Sequence, residues 1–197
     1  MKIKIALNYK SINNAINQLN AIKKNVPAMQ QEFIMLVAHW VTNKANDYIN
    51  FSDIGSSVKD EIKGGWEYEP TTNGVKIINR TQKAVFVEFG VGIVGQGDSH
   101  PQASIEGYEY NMDSYYKDRK QTGAWVFQSS LERLDLPLNN VEFAYNESGT
   151  DYALVTRGSK GVWYAYNAIV DAQMELAKAN GGEIGELWET VKRKYIK

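Results

Sequence analysis

The chain has 197 residues, a formal net charge of −1, no cysteine and two histidines, His39 and His100. A length of about 100–200 residues is typical of one domain, so we expect a single domain over residues 1–197 with one sizeable core. The composition excludes a disulfide scaffold, a thiolate zinc site and cysteine catalysis, and the balanced charge excludes a basic nucleic-acid-binding protein.

Helical periodicity dominates the first 50 residues. Apolar residues recur at positions 12, 15, 16, 19 and 22, which is the spacing of one helical face. Pro27 can open a second helix, because proline loses no hydrogen bond at the first helical position. His39 lies beside the apolar stripe without a second ligand at metal-site spacing, so we interpret it as a flank residue. We therefore predict N-terminal helices over residues 10–50.

Strand signals follow in residues 58–92, which we predict to be the sheet core. Residues 62–79 have the pattern of two strands joined by a tight turn at Asn73-Gly74. Residues 83–92 give the strongest strand prediction in the chain, because their apolar side chains alternate and two glycines close the run.

The second half of the chain combines an irregular segment with a return to helical periodicity. Residues 93–161 are predicted to be an irregular insertion with short strands near 107–110, 123–127 and 141–145. Residues 165–196 are predicted to form C-terminal helices, separated by the helix-ending signal Asn180-Gly181-Gly182. The fold class is α+β: N-terminal helices, a central antiparallel sheet with a long loop and strand insertion, and C-terminal helices.

Two groups of polar residues could carry catalysis. Asp98 and His100 could bind a metal or form an acid–base dyad, and Glu67, Glu69 and Glu88 could supply paired carboxylates. Both patterns are also usual on solvated loops and strand faces, which is the interpretation that we favour. A hydrolase that uses Asp98, His100 and a glutamate remains an alternative.

Aromatic residues, which make up 12% of the chain, suggest a second alternative. Trp125 and Trp163 could stack on a sugar or a peptide, although aromatic residues are also common in strands, cores and protein interfaces. A carbohydrate- or peptide-binding module predicts ligand binding that is lost when either tryptophan is replaced by alanine.

Several short blocks of sequence carry a family resemblance. Residues 84–95 read Ala-Val-Phe-Val-Glu-Phe-Gly-Val-Gly-Ile-Val-Gly, and His-Pro follows at 100–101. Further blocks are Gly-Tyr-Glu-Tyr-Asn at 107–111, Gly-Ala-Trp-Val-Phe at 123–127 and Gly-Val-Trp-Tyr-Ala-Tyr-Asn-Ala at 161–168. In order and spacing, this combination resembles the tail-completion, or head–tail joining, proteins of long-tailed bacteriophages.

The resemblance implies a structural virion protein without catalytic residues, metal or cofactor. Such proteins form a ring, commonly a hexamer, at the head-proximal end of the tail, and they join the tail tube and its terminator protein to the head connector. The implied partners are therefore copies of the chain and these virion proteins, with DNA passing the lumen without sequence-specific binding and with no membrane. The implied location is the virion tail or neck, after synthesis in the host cytoplasm.

A ring also needs two different contact surfaces on each subunit, because its contacts are head-to-tail. We predict these surfaces from the residues that carry the resemblance and from the aromatic residues of the insertion. The candidate interface residues are Val87, Glu88, Phe89, Gly90, Gly92, Gly95, His100, Tyr108, Tyr110, Trp125, Trp163 and Tyr164.

Overall fold

A computed structural model describes residues 9–110, 125–127, 141–145, 152–156 and 158–196. It confirms the mixed α+β class. The helices are α1 (Tyr9–Phe51), α2 (Ser56–Gly64), α3 (Gln82–Phe89), α4 (Gly92–Gly97), α5 (Tyr164–Ala177) and α6 (Gly182–Tyr195). The strands are β1 (Trp66–Pro70), β2 (Val75–Asn79), β3 (Gly90–Val91), β4 (Trp125–Phe127), β5 (Val141–Tyr145), β6 (Tyr152–Thr156) and β7 (Gly158–Lys160).

A single helix of 43 residues, α1, forms the N-terminal region. Pro27 lies inside it, so the prediction that this proline opens a second helix is wrong. The missing N–H leaves the Lys23 carbonyl without its helical donor, a defect that costs about 3 kcal/mol. Ala15 and Met29 are buried on either side of the proline. Side-chain packing therefore holds the helix together through the defect.

Strands β1 and β2 form the predicted hairpin. The turn closes where the Thr71 N–H donates to the Gly74 carbonyl at 2.9 Å, which confirms the turn predicted at Asn73-Gly74. The first strand begins later than predicted, because α2 continues to Gly64. Ile62, the first residue of the predicted hairpin, lies in this helix instead, and its side chain is fully buried.

The strand predicted over residues 83–92 is wrong. Residues 82–89 form α3, only Gly90 and Val91 are extended, and α4 follows directly. A short apolar run fits a strand or a helix equally well by periodicity alone. Helical spacing places Ala84 and Glu88 together on the buried face and leaves Val85 exposed.

The predicted insertion supplies strands to two small antiparallel sheets, one of which also includes β3 from before the insertion. Strand β6 lies between β4 and β5, while β3 pairs with β7 through Gly90–Lys160 and Val91–Ser159. These assignments confirm residues 125–127 of the strand predicted near 123–127 and the strand predicted near 141–145, whereas the strand predicted near 107–110 is wrong, because none of these residues is in a strand. The predicted strand residues 123–124 lie outside the described ranges.

The two C-terminal helices confirm the prediction for residues 165–196. The chain reverses between them through three residues with positive φ: Asn180 at 66°, Gly181 at 77° and Gly182 at 54°. Helix α6 begins with the acidic Glu183 and ends with a basic last turn, which complements the helix dipole.

The chain divides into two compact units. The first comprises residues 1–42, 68–77 and 169–197, and the second comprises residues 43–67 and 78–168. Buried residues of the first unit are Ala15, Met29, Ala38, Thr42, Ile184 and Val191. Buried residues of the second unit are Ala45, Ile49, Ile62, Ala84, Glu88, Gly90, Gly95, His100, Ala103, Tyr164 and Ala168.

In the first unit, α6 packs antiparallel to α1. The rings of Phe33 and Trp188 meet edge to face with centroids 5.3 Å apart. Glu32 accepts hydrogen bonds from Lys194 at 2.7 Å and from the Tyr195 hydroxyl at 2.9 Å. These two hydrogen bonds lower the pKa of Glu32 below its ordinary value.

Candidate functional site around Glu88 and His100

The centre of the second unit is the Glu88 carboxylate, which is 7% exposed on the inner face of α3. Its Oε2 accepts a hydrogen bond from the Ala165 N–H at 2.9 Å, and its Oε1 accepts one from the Tyr166 N–H at 3.0 Å. Both amides belong to the first turn of α5, where backbone N–H groups have no partner within the helix. Glu88 therefore caps α5 at the positive end of its dipole.

His100 fixes the other side of this carboxylate and is 5% exposed. Its Nε2 lies 3.0 Å from Glu88 Oε1, and its Nδ1 lies 3.0 Å from the backbone nitrogen of Gln102. Because a backbone N–H can only donate, Nδ1 is the acceptor and the proton of the neutral ring lies on Nε2. His100 therefore donates to Glu88, and both ring nitrogens are in use.

Aromatic rings surround this polar pair. The Phe89 ring lies 4.4 Å from the His100 ring and stacks on Tyr108 at 4.6 Å, measured between centroids. Trp163 and Tyr166 meet the imidazole edge to face at 5.8 and 5.3 Å. Such a shell keeps water from the carboxylate, and hydrogen bonds are stronger in that environment.

Two tyrosine hydroxyls join the turn after α4 to this shell. Tyr108 donates to the Gly90 carbonyl at 2.6 Å, and the Tyr110 hydroxyl accepts from the His100 N–H at 2.8 Å. Burial, and then the neighbouring Tyr110, raise the pKa of Tyr108. The segment that follows α4 is therefore held against the end of α3 by the Tyr108 hydroxyl, which reaches Gly90, and by the rings stacked on Phe89.

The backbones of α3 and of the segment before α5 are in direct contact. The Val162 N–H donates to the Val87 carbonyl at 2.7 Å, and the Trp163 N–H donates to the Glu88 carbonyl at 3.2 Å. A Cβ atom on Gly161 would overlap the Glu88 carbonyl oxygen and lie 2.7 Å from the Phe89 carbonyl carbon. Only a glycine at position 161 allows the two backbone segments to come this close.

Trp163 carries strain at the start of α5. Its φ is 55°, a left-handed value that bulky residues rarely adopt, and its buried indole N–H has no hydrogen-bond partner within the described ranges. Backbone strain of this kind costs on the order of 1–3 kcal/mol and persists only where surrounding contacts impose it. Here the hydrogen bonds to α3 and the contact with His100 impose it.

Tyr164, the first residue of α5, connects the start of this helix to α3 and to β1. Its hydroxyl donates to the Ala84 carbonyl at 3.2 Å, and its ring meets Trp66 edge to face at 6.0 Å. The Trp66 indole N–H donates to Asn46 at 2.9 Å. Burial, and then the charge of Glu88, raise the pKa of Tyr164 above the ordinary value of 10.0.

This raised pKa predicts a loss of stability in alkaline solution. Above about pH 10 the phenol ionises in the unfolded chain before it ionises in the folded one, so the folded state loses about 1.4 kcal/mol per pH unit from Tyr164. Tyr164→Phe should make unfolding free energy fall less steeply with pH, although it also removes the hydrogen bond to Ala84. Urea unfolding from about pH 9 to about pH 11 measures this slope. A Tyr164→Phe variant whose slope equals that of the wild type would contradict the assignment of the raised pKa to Tyr164.

Most of the predicted site residues meet in this one cluster. Gly95 is buried beside it, where an added Cβ atom would lie 2.8 Å from the Gly90 carbonyl carbon. Gly92 opens α4 and Trp125 lies in β4, and the side-chain surroundings of Trp125 are outside the described part of the chain. The residues that meet are Val87, Glu88, Phe89, Gly90, His100, Tyr108, Tyr110, Trp163 and Tyr164. They contact one another within the chain, and their use between subunits stays a prediction.

The catalytic grouping of Asp98 with His100, the alternative that we did not favour, does not form. The favoured interpretation of a solvated loop is also wrong for His100, which is 5% exposed because it packs against Glu88 and Phe89. Asp98 pairs with Lys160 at 3.3 Å, while His100 faces Glu88. With both imidazole nitrogens bonded, His100 offers neither a free base nor a metal ligand. Within the described ranges, no three His, Asp or Glu side chains are placed to hold a metal ion.

The two strand carboxylates also have cationic partners of their own. Glu67 accepts from Arg80 at 2.5 Å, and Glu69 lies 4.0 Å from Lys76. Both pairs are exposed to solvent, where ion pairs add little to stability. This pattern is the solvated strand face that we favoured for these residues.

An open groove of about 440 Å³ lies in the first unit. Its lining is Pro27, Gln30, Gln31, Phe33, Ile34, Thr72 and Asn73. It contains neither of the tryptophans on which the binding-module alternative depends. The groove therefore gives that alternative no support.

Comparisons of the chain with protein-family models, curated proteins and solved structures give no match. None of the helices in the described ranges is both long enough and apolar enough to cross a bilayer. Inferences about function therefore rest on the sequence blocks and on the geometry around Glu88.

Proposed function

We propose that the chain is a structural virion protein of a tailed bacteriophage. In this proposal it forms a homo-oligomeric ring at the head-proximal end of the tail and joins the tail tube to the head connector. The observation that carries the proposal is that four of the sequence blocks behind the resemblance meet in one cluster. These are residues 84–95, 100–101, 107–110 and 161–168.

Convergence of these blocks matters because they are far apart in sequence. Glu88 and Ala165 are 77 positions apart, yet they share a 2.9 Å hydrogen bond. Unrelated short matches have no reason to meet in space, whereas parts of one inherited fold have such a reason. The convergence therefore supports treating the blocks as one signature.

The chemistry of the cluster also favours an assembly role. Its carboxylate and its imidazole are buried and fully hydrogen-bonded, so they stabilise the fold and present no reactive group. The second unit nevertheless exposes large apolar side chains: Val85 is 48% exposed, Phe86 53% and Ile105 74%. Exposed apolar patches on a folded domain commonly mark protein contacts.

Particle composition and solution mass test this proposal together. Tailed particles from the strain that encodes the chain should contain its peptides by mass spectrometry after gradient purification. The purified protein should form a closed ring, visible by negative-stain electron microscopy. A protein that is strictly monomeric and absent from particles would overturn the proposal.

A further inference from the structure

The dipeptide Asn-Gly occurs twice in the chain, at Asn73-Gly74 and at Asn180-Gly181. An asparagine in this dipeptide can react with the backbone of the residue that follows it. The backbone nitrogen of the glycine attacks Cγ of the asparagine side chain, and glycine hinders the attack least because it has no Cβ atom. Both sites therefore have the residues for the same reaction, and they differ in the structure around them.

The reaction consumes water and releases ammonia. A base takes the proton of the glycine nitrogen, this nitrogen forms a bond to Cγ, and the bond between Cγ and the side-chain nitrogen breaks. The side-chain nitrogen leaves as ammonia, and a five-membered imide ring remains. Water then opens the ring at one of its two carbonyl carbons, which gives aspartate or isoaspartate. Either product adds one negative charge to the chain.

Asn73 is open to this reaction. It lies in the turn between β1 and β2, is exposed to solvent and lines the open groove of the first unit. Water and a base can therefore reach its side chain. The hydrogen bond that closes the turn uses the Gly74 carbonyl as acceptor for the Thr71 N–H. Within the described residues, the Gly74 N–H donates to no other backbone group, so the attacking nitrogen has no such bond to break.

The backbone around Asn180 is held in a geometry that opposes the attack. Its ψ is 11°, which turns the Gly181 nitrogen toward the Asn180 backbone nitrogen and away from the side chain. The Gly181 N–H donates to the Lys178 carbonyl at 2.9 Å. A Cβ atom on Gly185 would overlap the Asn180 carbonyl oxygen, so the first turn of α6 packs directly on this peptide group. Rotation toward a reactive geometry must therefore break a hydrogen bond and push against α6.

We infer that Asn73 is a site of spontaneous deamidation and that the fold protects Asn180 from the same reaction. The product places a carboxylate at position 73, in a groove whose other lining residues are all uncharged. Isoaspartate also adds a methylene group to the backbone of the turn, which shifts Gly74 away from the Thr71 N–H. The inference is independent of the proposed function, because it depends only on the backbone at the two sites.

Incubation of the purified protein at mildly alkaline pH tests the inference. Peptide mass spectrometry follows the gain of about 1 Da that accompanies the loss of the amide. In the folded protein, the peptide that contains Asn73 should gain this mass several-fold faster than the peptide that contains Asn180. In urea, where the fold no longer protects Asn180, the two peptides should react at similar rates. Equal rates in the folded protein, or a difference that persists in urea, would overturn the inference.

Gly74→Ala is the matched control variant. Within the described ranges, a Cβ atom at position 74 would meet only the Thr71 Oγ1, at 3.6 Å, which is an ordinary contact. The hairpin should therefore form in this variant, and circular dichroism checks the fold. The added methyl group hinders the attacking nitrogen, so deamidation of Asn73 should slow several-fold. A variant that deamidates at position 73 as fast as the wild type would contradict attack by the Gly74 nitrogen.

Discussion

Replacing Glu88 by alanine is expected to destabilise the second unit by about 3 kcal/mol or more, because each buried donor left without its acceptor costs about 1–3 kcal/mol. The substitution removes the acceptor of three donors: the His100 Nε2–H and the backbone N–H groups of Ala165 and Tyr166. Donors left buried without a partner cost more than the hydrogen bonds themselves contributed. The free energy of unfolding should therefore fall by more than it does when an ordinary helix cap is removed.

Urea unfolding followed by tryptophan fluorescence measures this loss. Glu106→Ala, a substitution of an exposed glutamate in the same unit, is the control and should change the unfolding free energy by about 0.5 kcal/mol or less. Glu88→Gln should fall between the two, because its NH₂ group must face one of the three donors. If Glu88→Ala lowered the free energy of unfolding no more than the control does, the Glu88 carboxylate would not stabilise this unit as described.

Replacing Gly161 by alanine is expected to cost more than about 3 kcal/mol or to prevent folding of the second unit. The new methyl group would overlap the Glu88 carbonyl oxygen and crowd Phe89 and Trp163. Two of these obstacles are backbone atoms in hydrogen-bonded segments, so they cannot move aside as a flexible side chain would. The overlap can be relieved only by separating α3 from the start of α5.

Gly97→Ala is the matched control, because a Cβ atom there would have nothing within 4 Å. Thermal unfolding and the yield of soluble protein compare the two variants. Gly97→Ala should behave like the wild type, while Gly161→Ala should unfold at lower temperature or accumulate as insoluble protein. A Gly161→Ala variant with wild-type stability would contradict the close approach.

Local signals predicted the elements that local forces determine. Asn73-Gly74 predicted the hairpin turn, and Asn180-Gly181-Gly182 predicted the break between α5 and α6. Helix α3 was not predictable in this way, because residues 83–89 suit a strand as well as a helix. Its conformation depends on Glu88 reaching the first turn of α5, a contact between residues 77 positions apart.

The wide separation of the contacting residues along the sequence also limited prediction of the candidate site. Glu88, His100 and Tyr108 were singled out from the sequence, but their meeting around the start of α5 was not predicted. The backbone roles of Gln102, Gly161 and Tyr166 were missed altogether. One signal was present: residues 161–163 read Gly-Val-Trp, so α5 lacks the Ser, Thr, Asp or Asn that usually caps a helix. A missing local cap indicates that a distant residue supplies it.

The cluster around Glu88 and the exposed apolar side chains have separate roles in the proposed assembly. The buried pair fixes α3, the turn after α4 and the start of α5 as one framework. In the proposed assembly role, the exposed apolar side chains of the same unit, Val85, Phe86 and Ile105, would make contacts with other subunits. An assembly protein needs both features, because its contact surfaces must be held rigid before a partner arrives.

The copy number of the chain in purified tailed particles tests the central claim most directly. Quantitative peptide mass spectrometry against the other particle proteins gives this number. A ring at the tail end predicts a small, fixed number of copies per particle, equal to the number of subunits in the ring that the purified protein forms. Particles that are complete and infectious but contain no copy of the chain would contradict the proposed role.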